Sequence, residues 1–70
     1  MMMEFLKVNF REDRQVVVDD HFLGSTNKVI ELEEGAHSIS LAAPYDYMPH
    51  EWHVILINST VVKPIEVEFK

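Results

Sequence analysis

The sequence predicts an all-β fold, a small antiparallel β-sandwich of about six to seven strands in an immunoglobulin- or transthyretin-like arrangement. Three observations carry that expectation. Apolar and polar residues alternate with a period of two over much of the chain, as in Leu6-Lys7-Val8-Asn9-Phe10. Turn-forming residues return about every eight to twelve positions. No stretch sustains apolar residues at helical spacing. A small barrel has the same cadence.

Each element follows from its own pattern. Phe5–Arg11 places Leu6, Val8 and Phe10 on one face and Lys7, Asn9 and Arg11 on the other, a half-buried strand. Glu12-Asp13-Arg14 is a solvated turn. Gln15–Val18 is a β-branched strand with apolar residues on both faces. Asp19–Asn27 reads as a turn: aspartates after a valine run favour one, Gly24 supplies a position for positive φ, and Phe22 is expected to fold back into the core. Val29–Leu41 is the clearest pattern. Ile30 and Leu32 share one face, and after Glu33-Glu34-Gly35-Ala36 the residues His37, Ile39 and Leu41 share another, which predicts a hairpin with Leu32 opposite His37 and Ile30 opposite Ile39.

The second half continues in the same way. Tyr45-Asp46-Tyr47-Met48-Pro49, bracketed by Pro44 and Pro49, is an aromatic loop. His50–Asn58 is the strongest strand. Trp52, Val54 and Leu56 face one way and His53, Ile55 and Ile57 the other, so its second apolar face needs a cover or a partner. Asn58-Ser59-Thr60 has the form of a glycosylation sequon and reads as a plain turn. Ile65, Val67 and Phe69 alternate with Glu66, Glu68 and Lys70 in a last half-buried strand, and Pro64 marks its start or an edge.

Composition narrows the function. Seventy residues make one domain, 1–70, with 47% hydrophobic residues for its core. A chain of this size buries only about 60% of its unfolded surface. The absence of cysteine excludes disulfides and thiolate chemistry. A net charge of −6 argues against nucleic acid and anionic membranes as partners. The N-terminus has neither a basic start nor an apolar run of signal-peptide length, and no stretch approaches the ~20 apolar residues of a membrane span, so a cytoplasmic chain is expected.

The residue patterns of catalysis and metal binding are weak. The two glycines make no phosphate loop, and Ser25, Ser38, Ser40 and Ser59 lack nucleophile-elbow glycines. Glu33-Glu34 falls at a solvated turn. Asp19, Asp20 and His21 match no calcium-loop spacing, and His50 and His53, three apart on a strand, point to opposite faces. The expectation is a non-enzymatic chain with no metal and no cofactor.

Val16-Val17-Val18-Asp19-Asp20-His21-Phe22-Leu23-Gly24-Ser25-Thr26 resembles the opening of a PEGA domain, with its valine-rich strand, aspartate turn, apolar pair and glycine before a small hydroxyl residue. Glu34-Gly35-Ala36-His37-Ser38-Ile39 resembles the name-giving hairpin, Tyr45–Pro49 its tyrosine loop, and Val54–Phe69 its last strands, so that the likeness covers residues 14–69. Asp20 and Asp46 replace glycines of the pattern, and Glu33 or Glu34 replaces its proline. The resemblance implies a β-sandwich accessory module that mediates interaction and does not catalyse. On that reading the partner is a protein or a second copy, taken at a sheet edge or an aromatic loop. Tyr45, Tyr47, His50 and Trp52 are the contact residues expected from their type and position. Carbohydrate or cell-wall binding by the same aromatics is the alternative.

Overall fold

A computed structural model describes residues 2–70. Among these residues seven strands run in chain order: β1 (Met3–Asn9), β2 (Gln15–Val18), β3 (His21–Ser25), β4 (Val29–Glu33), β5 (Gly35–Leu41), β6 (Trp52–Leu56) and β7 (Ile65–Glu68). They form two sheets, one ordered β4-β1-β7 and the other β3-β2-β5-β6. Among the described residues there is no helix, hence none long and apolar enough to cross a membrane.

The period-two patterns become the two walls of one core. Leu6, Val8, Ile30, Leu32 and Val67 point inward from the three-stranded sheet, and Val16, Val18, Ile39, Leu41 and Leu56 from the four-stranded sheet. Phe10, Tyr47 and Phe69 close one end, with Tyr47 edge-on to Phe69 at 5.2 Å and to Phe10 at 6.2 Å. Val17 is only half-buried, because its side of β2 is the outer face of the sheet.

Four expectations need correction. The Val29–Leu41 hairpin does not exist. β4 pairs with β1, setting Ile30 against Leu6 and Leu32 beside Glu4, whereas β5 pairs with β2 and β6. Gly35, at φ +114, turns the chain from one sheet into the other. The inward residues of both segments then line opposite walls of one core, a fuller burial than a two-stranded ribbon gives.

The segment after Asp19-Asp20 is a strand and not a loop. Both aspartates have positive φ, 49° and 69°, as a two-residue type I′ hairpin turn requires, and Val18 pairs with His21 across it. Phe22 does not fold into the core. It pairs with Val17 on the outer face and is 64% exposed. Finally, β7 runs parallel to β1, in register from Leu6 with Ile65 to Asn9 with Glu68, while every other described pairing is antiparallel.

Polar ties hold the connections between sheets. Buried Thr26 accepts the Arg14 N–H at 2.9 Å and donates its hydroxyl to the Glu12 carbonyl at 2.7 Å, and the Asn27 side chain accepts the Phe10 N–H at 3.1 Å. Glu4, on the inward face of β1, accepts both the N–H and the hydroxyl of Ser59, at 2.8 and 2.7 Å. Ser59 in turn accepts the Phe5 N–H at 2.7 Å. These bonds satisfy a carboxylate that burial would otherwise penalise, and Ser59 holds it below the usual carboxylate range.

Candidate functional site

The two open sides of the sandwich differ. On the β3/β4 side the sheets lie close: a Cβ on Gly24 would stand 2.8 Å from Ile30 Cγ1, and the residue has φ +76. On the β6/β7 side Trp52 reaches from the edge strand of one sheet to that of the other. Its ring projects inward with Val54 and Leu56, and at the margin its indole N–H donates to the Glu68 carbonyl at 2.9 Å. Beside it runs a groove of about 500 Å³, walled by Met48, Pro49, Trp52 and Val67 and bordered by Glu66 and Glu68.

The floor of that groove is the outward edge of β7. Phe69 donates its N–H to the Asn9 carbonyl, at 3.0 Å, so the odd-numbered residues of β7 turn their main-chain groups toward β1. Two-residue alternation then turns those of Glu66, Glu68 and Lys70 outward. Lys70 exchanges two bonds with Met48, at 2.7 and 2.8 Å, and the Glu68 carbonyl accepts from Trp52. Among the described residues, the N–H and C=O of Glu66 and the N–H of Glu68 have no protein partner.

The four contact residues expected from sequence do not form one site. Trp52 walls the groove, together with Met48 and Pro49 of the aromatic loop. Tyr45 is 75% exposed and does not line the groove. His50 is exposed in the connector before β6 and does not line the groove. Tyr47 is corrected from contact residue to core residue: it is 5% exposed, and its hydroxyl donates to the Leu41 carbonyl at 2.9 Å and accepts the Leu41 N–H at 3.2 Å. Glu66 and Glu68 were missed because they look like the solvated face of a strand, and only the neighbours of β7 reveal its open edge.

The loop itself is clamped from below. Asp46 receives Arg14 at 2.7 Å and Arg11 at 3.0 Å, and both guanidinium groups lie over the Phe10 ring, at 4.9 and 4.5 Å. Arg14, with Arg11, holds the Asp46 carboxyl below its ordinary range. This fixes the approach of Met48 and Pro49 to the groove.

The histidines are engaged in other ways. His37 bridges the Asp19 carboxylate at 2.6 Å and the Glu33 carbonyl at 2.7 Å. Both partners are acceptors, so the ring makes both bonds only as an imidazolium. His53, on the outer face of β6, lies 2.8 Å from Glu51 and 3.3 Å from the Ser38 hydroxyl. The array has the order of a Ser-His-Glu relay, but the Ser38 N–H is taken by Asp19 at 2.9 Å, so that amide is not free as an oxyanion donor. No group of three or more His, Asp or Glu among the described residues is placed to hold a metal ion.

Comparison with known proteins finds no family model, no curated protein and no solved structure that matches the chain.

Proposed function

We propose that this chain is a non-catalytic protein-interaction module that takes an extended segment of its partner as an added strand along β7. One observation carries the reading: unpaired main-chain donors and an acceptor at Glu66 and Glu68 open onto an apolar groove walled by Trp52. Main-chain pairing gives such a site affinity, and the groove selects alternate side chains. The resemblance of residues 14–69 to PEGA domains supports an accessory role of this kind.

The test is a titration of the chain with an uncharged, alternating Thr-Val peptide, followed by amide chemical shifts. Shifts at the Glu66 and Glu68 amides, with a change at the Trp52 indole N–H, are expected. Glu66→Pro removes an outward N–H that takes no part in the β1 ladder, so it blocks addition and keeps the fold. Shifts confined to other strands contradict the reading.

Carbohydrate binding is the second reading, supported by the Tyr45 ring, which is 75% exposed although it lies edge-on to Tyr47 at 6.3 Å. A glycan response that disappears in Tyr45→Ala would favour it over strand addition.

A further inference from the structure

We infer that the occupant of the β7 edge is a cationic strand of alternating basic and apolar residues; this rests on the strand-addition reading above. Side chains opposite one another in a ladder share a face. On β7, Glu66 and Glu68 point to the outer face of the three-stranded sheet, and buried Val67 points inward. An added strand therefore presents two alternate side chains to two carboxylates. The residue between them, opposite Val67, faces the groove wall of Trp52, Met48 and Pro49. Lys or Arg at the first two positions and an apolar residue at the third complete the match.

The charges around β7 favour this occupant over a second copy. Pairing β7 with β7 of another copy in an antiparallel ladder sets Glu66 and Glu68 against the same carboxylates, and like charges directly opposite are destabilising. The nearby cations leave the carboxylates available. Lys7 is the β1 partner of Glu66, but among the described residues neither Glu66 nor Glu68 forms an ion pair, and Asn9 donates to a single Glu66 oxygen, Oε1, at 2.8 Å. Lys70 lies at one end of the groove, where its backbone pairs with Met48 and so closes the ladder to a partner. The net charge of −6 steers a cationic segment toward the chain at longer range.

The Thr60–Lys63 turn exposes Val61 and Val62 at its tip, where turns ordinarily place Gly, Asn or Asp, but nothing in the structure shows what covers them.

The experiment titrates the chain, through the emission of its single tryptophan, with three proline-ended peptides: alternating Lys-Val, Thr-Val and Glu-Val. The Lys-Val peptide is expected to bind tightest and the Glu-Val peptide weakest, with the difference shrinking at high salt. Glu66→Gln keeps the acceptor for Asn9, and it and Glu68→Gln should each weaken Lys-Val binding about two- to fivefold. Thr-Val binding should be unchanged in both. Equal binding of all three peptides overturns the cationic occupant and leaves strand addition standing. No binding of any peptide overturns both. Lys-Val binding that is undiminished in the double variant Glu66→Gln/Glu68→Gln overturns this site, since the cation is then held elsewhere on the acidic surface.

Discussion

The indole N–H of Trp52 donates to the main-chain carbonyl of Glu68 across the gap between the two sheets, at 2.9 Å. Trp52 belongs to the edge strand of one sheet and Glu68 to the edge strand of the other, so the bond holds the open side of the sandwich at a fixed width. It also stops the free edge of β7 at Glu68, because the next outward residue, Lys70, is already paired with Met48. The groove has a defined end as a result.

Trp52→Phe removes the donor and keeps an aromatic wall. The loss should be about 0.5–1 kcal/mol, the net value of one partly exposed hydrogen bond. Denaturant unfolding followed by circular dichroism reads it, and faster exchange of the Lys70 amide should accompany it.

Tyr47 is a test of fold and not of binding. Tyr47→Phe strips both Leu41 contacts from a buried hydroxyl and should cost about 1–2 kcal/mol. Tyr47→Ala leaves a cavity between Phe10 and Phe69 and should cost about 3–5 kcal/mol, enough to unfold much of a chain this small. The thermal midpoint measures both. An unshifted midpoint for Tyr47→Ala would contradict the core assignment.

Gly24→Ala tests the closed side. The new Cβ meets Ile30 and the backbone has positive φ, so the cost should be about 1–2 kcal/mol. Lys28→Ala, at an exposed position nearby in the chain, should be nearly silent.

The His37–Asp19 clasp should shape the pH dependence of stability. Burial of the imidazole opposes its charge, but the Asp19 carboxylate and the Glu33 carbonyl outweigh it and raise the pKa above the ordinary 6.5. That contribution is fully present below pH 6.5 and is lost as pH rises through the raised value. The Ser38 N–H and then His37 lower Asp19 below its ordinary 3.8, a contribution present above that pH and lost as pH falls through the lowered value. The clasp is therefore strongest between about pH 4 and 6.5. Unfolding midpoints across pH should decline on the alkaline side, and His37→Gln should flatten that decline.

What could be read from the sequence was which way residues face. The inward sets Leu6/Val8/Phe10, Ile30/Leu32, Val54/Leu56 and Val67/Phe69 follow from alternation alone, because strand geometry fixes the period. Which strand lies beside which did not follow. Ile30 and Ile39 look like cross-strand partners, yet they belong to opposite sheets, since alternation records a face and not a neighbour. His21–Ser25 has no alternation to read, because it is an edge strand with Phe22 and Leu23 both in solvent. The site was half visible. Trp52 stood out by residue type, but the open groups at Glu66 and Glu68 depend on the parallel pairing of β7 with β1, a contact between the two ends of the chain.

Amide hydrogen exchange along β7 tests the central claim most directly. In the free chain Val67 and Phe69, whose N–H groups face β1, should exchange slowly, and Glu66 and Glu68, whose N–H groups face the groove, should exchange fast. Addition of the Lys-Val peptide should slow Glu66 and Glu68 and leave the others unchanged. Slow exchange at Glu66 in the free chain, or fast exchange there with the peptide bound, would contradict an open edge that receives a partner strand.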